Sequence, residues 1–221
     1  MRGSMCSLWL PFVLASFARA DIIVGTNNAP ANLFPFNDSY VGEYQQVYTS
    51  TAFPGVSTIT GLKFAPASGF SGSNTVTLTI GLSTTFATVA SMSTNYAANK
   101  GADFTQVFAG SDTYTATGSD LFDLSFATTA FTYNPGLGNL LLDIFETSNS
   151  GAFIAFDANQ DSVTSRVFNL AGNGMPTFSS GYGLVTDFVT SSTVPEPTSL
   201  LLLGSVVALV GTILRRRIAS P

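Results

Sequence analysis

Two kinds of residue in this chain could do chemistry, and both are made of oxygen. Asp157-x-Asn159-x-Asp161 sets three oxygen ligands at alternate positions, the way a calcium-binding loop opens. Ser162 stands where such a loop has glycine, and Phe168 stands where it has its closing glutamate. Calcium is therefore one reading and a polar turn between strands is the other. Carboxylate pairs form the second kind. Asp120 with Asp123, or Asp143 with Glu146, are the pairs a glycoside hydrolase would need, but strand parity puts the members of each pair on opposite faces. The rest of the catalytic repertoire is missing. The chain has no histidine, which removes the commonest general base and metal ligand, and its one cysteine is Cys6. Neither Ser-His-Asp nor Cys-His catalysis is available, and a Gly-rich phosphate loop is absent.

Both ends of the chain read as addresses rather than as parts of a fold. Arg2 precedes an apolar run from Leu8 to Phe17, about ten residues long, which suits a signal-peptide core and is too short to span a bilayer. Ala18 and Ala20 are the small residues that signal peptidase reads, so cleavage is expected after Ala20, with residues 1–20 removed and Asp21 first in the mature chain. Cys6 lies inside the run rather than at its end, which excludes a lipoprotein signal, and the mature chain holds no disulfide.

At the other end, Pro195-Glu196-Pro197 is followed by an uncharged stretch from Thr198 to Leu214 and then by Arg215-Arg216-Arg217. As a helix, residues 198–214 would reach roughly 25 Å, a minimal transmembrane span. The prolines lack backbone donors and hold the motif extended, outside that helix. The arginines resist translocation and stay cytoplasmic, so the Pro-Glu-Pro segment faces outward. In this order of parts, residues 194–221 resemble a PEP-CTERM sorting tail. The resemblance implies a membrane-embedded exosortase as partner, cutting near Pro195, Glu196 and Pro197. It also implies a Gram-negative cell that makes exopolysaccharide and biofilm. The expected route is export by the general secretion machinery, transient anchoring in the inner membrane, then the cell surface or medium.

Between these addresses lie residues 21–193, enough for one well-buried core. Twelve acidic residues face only Lys63, Lys100 and Arg166, a balance of minus nine (3 − 12). Such a surface repels phosphate backbones, so nucleic acid is not an expected partner. The pattern is all-β. Val76, Leu78, Ile80 and Leu82 alternate with small polar residues. Phe122, Leu124 and Phe126 alternate with Asp123 and Ser125; Leu140, Leu142 and Ile144 give another alternating set, and Ala152, Ile154 and Phe156 follow soon after. Further strands are expected at 46–49, 59–64, 167–170 and 183–189, and only 92–101 suggests a helical turn or two. Turn formers punctuate them at 54–55, 68–72, 110–112, 134–136, 148–151 and 172–176. Residues 190–193, all Ser or Thr, read as a linker. This predicts an antiparallel β-sandwich or jelly roll. Tyr44-Gln45-Gln46-Val47-Tyr48, Leu82-Ser83-Thr84-Thr85 and the stretch Ser93 to Asn99 resemble the choice-anchor class of bacterial surface domains.

The expected function is therefore non-enzymatic: an exported surface or matrix protein associated with biofilm exopolysaccharide. A carbohydrate-binding module is the first alternative and a carboxylate-dependent glycoside hydrolase the second. No cofactor is expected beyond calcium at Asp157, Asn159 and Asp161.

Overall fold

A computed structural model describes residues 21–26, 31–36, 41–119, 121–160, 162–169 and 176–191. The described chain is mostly strand, and every strand pairing is antiparallel. The strands are β1 (Ile22–Val24), β2 (Ala31–Asn32), β3 (Gly42–Tyr48), β4 (Ser57–Phe64), β5 (Ser71–Thr85), β6 (Thr105–Thr117), β7 (Leu124–Tyr133), β8 (Asn139–Gly151), β9 (Phe156–Asn159), β10 (Thr164–Asn169), β11 (Pro176–Ser180), β12 (Gly183–Leu184) and β13 (Thr186–Ser191). They form a six-stranded sheet in the order β11-β10-β3-β8-β5-β6, a four-stranded sheet β1-β13-β4-β7 and a small sheet β12-β9-β2.

Alternation in the sequence decides which face of each strand is buried. On β5, Val76, Leu78, Ile80 and Leu82 are buried while Thr75, Thr77 and Thr79 stay half-buried on the other face. On β8, Leu140, Leu142 and Ile144 are buried on the same inner face. The four-stranded sheet answers with Ile59, Leu62, Phe64, Leu124, Phe126, Tyr133 and Phe188, all in one cluster with the β5 and β8 residues. Aromatic rings tie the sheets together. Tyr48 of the larger sheet meets Phe188 of the smaller edge-on at 5.0 Å, and Phe36 contacts Phe64 and Phe156, each at 5.0 Å. Burying each such ring stabilises the fold by about 1.5–3 kcal/mol.

Three turn signals are overruled. Gly110-Ser111-Asp112 lies in the middle of β6, Ser71-Gly72 opens β5, and Ser148 to Gly151 closes β8. β6 lies at a sheet edge and pairs on one side only. There a polar residue on the outer face costs nothing, because its side chain meets solvent and its backbone still pairs with β5. Ala152 and Ile154 follow β8 in a connection, with Ile154 fully buried. The expected linker is shorter than residues 190–193, because Thr190 and Ser191 belong to β13. The helical signal at 92–101 is one turn, α1 (Tyr96–Asn99).

The register of β1 on β13 sets how the two ends leave the domain. Ile22 faces Phe188 and Val24 faces Thr186. The N-terminal end of β1 and the C-terminal end of β13 therefore point the same way, with β13 continuing on β4 as far as Ser191.

Candidate functional site

The outer face of the six-stranded sheet carries the densest polar chemistry among the described residues. Glu43 and Gln45 of β3, Leu141, Asp143 and Phe145 of β8, and Gly81 and Ser83 of β5 share this face by strand parity. The connection from β5 to β6 folds back over it. Met92 from that connection packs on Val47, Leu141 and Val167, with Val89 and Tyr96 against them.

Hydrogen bonds then fix the connection in place. The Gln45 amide donates to Asp143 Oδ1 at 3.2 Å and to the Tyr96 carbonyl at 3.1 Å. It accepts from Asn99 Nδ2 at 2.9 Å. Asn99 also exchanges bonds with the Ser93 backbone, both at 2.8 Å, and its carbonyl accepts from the Thr85 hydroxyl at 2.6 Å. Asn95 accepts from Ala97 N and starts the single helical turn. Three stretches far apart in the sequence are thus bonded to one another: Gln45, Thr85 and Asn99 form a single network.

Lys100 follows directly. Its ammonium lies 2.6 Å from Asp143 and 3.2 Å from Glu43. Burial pushes the Glu43 carboxyl above the ordinary glutamate value, and the neighbouring Asp143 adds to that push. Burial pulls Lys100 down, but its bonds and charge contacts with Asp143 and Glu43 outweigh this and leave it raised. Two carboxylates sharing one cation make a cross-link between loop and sheet.

Beside the cross-link are two partly exposed rings. The Phe104 ring fills the space over Gly81, which offers no side chain: a Cβ there would sit 2.3 and 2.5 Å from ring atoms. Lys100 lies 4.7 Å from the centre of the same ring. Phe145 projects from β8 and is 47% exposed, and Phe104 is 38% exposed. Further out, the hydroxyls of Ser73 and Thr115, Thr75 and Thr113, and Thr77 and Ser111 pair across β5 and β6 at 2.8 Å. The face therefore offers ring surfaces, charged oxygens and hydroxyls. Sugars, with apolar C–H faces and hydroxyl edges, bind to surfaces of that composition.

Of the residues expected to act from sequence, only Asp143 is at this face. Asp157 and Asn159 sit on β9. The Asp157 N–H donates to Ala65 O at 2.9 Å, and Asn159 pairs with Gly183. Asp161 lies outside the described residues, so the calcium set is not completed among them. No group of three or more His, Cys, Asp or Glu that could hold a metal is present among the described residues. Asp123 serves the β6–β7 corner, accepting from Thr117 N at 2.8 Å and Thr117 Oγ1 at 3.0 Å, and Asp120 lies outside the described residues. Asp143 and Glu146 face opposite sides of β8, as parity requires. Ala18, Ala20, Pro195, Glu196, Pro197, Arg215, Arg216 and Arg217 also lie outside the described residues, as does the expected membrane helix 198–214. No helix among the described residues is long and apolar enough to cross a membrane.

Sequence reasoning gave no role to Gly81, Lys100, Phe104 and Phe145, and named Gln45 and Asn99 only within longer stretches. One signal was available: alternation with Leu142 and Ile144 already turns Asp143 and Phe145 outward.

Comparison with known families decides the C-terminal segment. Residues 193–217 match the PEP-CTERM protein-sorting motif. The motif marks an exported protein addressed to an exosortase, held briefly at the membrane before processing. No curated protein and no solved structure matches the chain.

Proposed function

We propose that the chain is an exported, exosortase-processed surface or extracellular-matrix protein, without catalytic activity, whose β domain associates with exopolysaccharide. Residues 1–20 act as a signal peptide cut after Ala20. Thr198–Leu214 spans the inner membrane of a Gram-negative cell, with Arg215, Arg216 and Arg217 on the cytoplasmic side. The exosortase cuts near Pro195-Glu196-Pro197 and delivers a β-sandwich of the choice-anchor type to the cell surface.

The match to the sorting motif carries this reading. The fold supports it in one further way. β13 ends at Ser191, so three residues separate the last strand from Pro195. The antiparallel pairing of β1 with β13 also points the N-terminal end of β1 and the C-terminal end of β13 the same way, which suits a domain with a hydrophobic segment at each end. The absence of catalysis is supported by the fate of the carboxylates. Glu43 and Asp143 are tied up by Lys100, whereas glycosidic cleavage needs one acid and one base free at the substrate. Replacing Glu196 by Ala should leave an unprocessed, membrane-held form, read as a change in C-terminal mass and fractionation. Normal processing of Glu196→Ala would contradict the reading.

The second reading, a carbohydrate-binding module, is favoured by Phe104 and Phe145 beside Glu43, Asp143 and Lys100. Under it, Phe104→Ala combined with Phe145→Ala should lower retention on the cell's own polysaccharide by about tenfold, as the loss of two stacking contacts would. Equal retention would show that this face does not hold the polymer.

A further inference from the structure

One end of the sandwich carries the last residue of β13, and the register shows what else lies there. The final residue pairs at that end are Ser191 with Thr58, Ser57 with Tyr133, Tyr48 with Leu140 and Thr85 with Asn139. Beyond them lie the β3–β4 connection (49–56), the β7–β8 connection (134–138) and the start of the β5–β6 connection (86–91). Each presents one large apolar side chain to solvent: Val56 is 60% exposed, Leu137 64% and Phe86 92%.

Hydrogen bonds fix these loops to one another. Ser50 N donates to Asn139 Oδ1 at 2.9 Å, and Asn139 Nδ2 donates to Ala87 O at 2.8 Å. Ala87 N donates to Thr85 Oγ1 at 3.0 Å, and Leu137 N closes its own turn on Asn134 O at 3.0 Å. The backbone beside Phe86 and at Leu137 is therefore held, and it holds both side chains in water. Three such side chains at one end of a fold mark a surface that meets something apolar.

Charge singles out the same end. None of residues 49–56, 86–91 and 134–138 is charged, in a segment, residues 21–193, whose balance is minus nine (3 − 12). Asp103 bonds the Thr84 N–H at 2.8 Å, one residue inside the end of β5, and Asp161 lies outside the described residues. Ser71 pairs with Thr117 at the far end, and Asn74 with Gly151 near it. Leu121 and Phe153 are exposed there, but the loop that holds Leu121 also holds Asp120 and Asp123. An anionic lipid surface repels such acids and does not repel uncharged tips.

Chain length then names the occupant. Six residues, 192–197, separate Ser191 from Thr198, and six residues reach at most about 20 Å. β5, with fifteen residues, is roughly 50 Å long. A tether that short keeps its own end of the domain at the bilayer.

We infer that Val56, Phe86 and Leu137 seat this end of the domain on the outward leaflet of the membrane while the tail is attached. The inference rests on the reading that Thr198–Leu214 spans that membrane. A bilayer is a plane, so the three side chains dip into its headgroup boundary without touching one another. Docking holds Pro195-Glu196-Pro197 at the lipid surface, where a membrane-embedded enzyme works.

The test uses the tail-bearing chain in vesicles of phosphatidylethanolamine and phosphatidylglycerol, with and without bromine on the acyl chains. Phe86→Trp and Leu137→Trp are separate probes, and Phe153→Trp at the far end is the control. All carry Trp9→Phe, which leaves the probe as the chain's only tryptophan. The expected result is blue-shifted emission, quenched by brominated lipid, at 86 and 137 but not at 153. A chain that floats with the vesicles yet is not quenched at 86 and 137, or is quenched equally at 153, would overturn the docking and leave the membrane tail standing. A chain that does not float would overturn the tail and the docking with it.

Discussion

β8 carries two acids three positions apart, and they meet opposite environments. Asp143 points outward into a network that satisfies it with Lys100 and Gln45. Glu146 points inward, where burial pushes its carboxyl up to about 9 and no cation among the described residues faces it. The first acid ties a loop to the sheet; the second burdens the core unless something neutralises it. Parity alone separates them, so one strand can place one acid in a surface clamp and bury another.

Glu146 should give the largest effect. Its raised value means that the folded state binds a proton which the unfolded state releases near the ordinary glutamate value. Stability is thus highest below that ordinary value and falls as pH rises toward 9, by up to about 1.4 kcal/mol per pH unit. The groups around it, Asn74, Asn149 and the high-titrating Tyr114, supply no compensating charge. Glu146→Gln should therefore stabilise the protein by roughly 3 kcal/mol at pH 8 and flatten that slope. Urea unfolding at pH 5 and pH 8 measures both. A variant with the wild-type slope would dissolve the contrast between the two acids.

Removing the clamp should come next. Lys100→Ala leaves Glu43 and Asp143 facing each other. It should cost about 2 kcal/mol at pH 8, less than a fully buried pair because Lys100 keeps some solvent. Because Glu43 is already raised, it takes up a proton early on acidification, so the cost should shrink toward pH 5. An equal cost at both pH values would mean that the carboxylates do not repel.

Gly81→Val places a side chain where the Phe104 ring lies, which should lift the ring and cost about 1 kcal/mol of stability, with Phe104 becoming more accessible to solvent. Thr77→Val breaks one hydroxyl pair with Ser111 and should change stability by only about 0.3 kcal/mol, since the pair is exposed. Both are read by the same unfolding curves.

Much of the inner face was legible from sequence, because hydrophobic side chains alternate wherever one side of a strand is buried. Val76 to Leu82 and Leu140 to Ile144 needed nothing else. β6 was not legible. Its outer face is Ser and Thr, and Gly110-Ser111-Asp112 has the composition of a turn, yet pairing with β5 continues straight through it. The same confusion at Ser148 to Gly151 hid Asn149, whose amide bonds Glu146. The outer site was hidden for a different reason. Gln45, Asn99 and Lys100 are brought together by a loop folding over a sheet, and no local period encodes that contact.

Export followed by processing at both ends is tested most directly by intact-mass analysis of the protein recovered from cells and medium. The expected species starts at Asp21 and ends near Pro195-Glu196-Pro197, outside the cytosol. A cytosolic chain still carrying Met1 and Arg217 would contradict it.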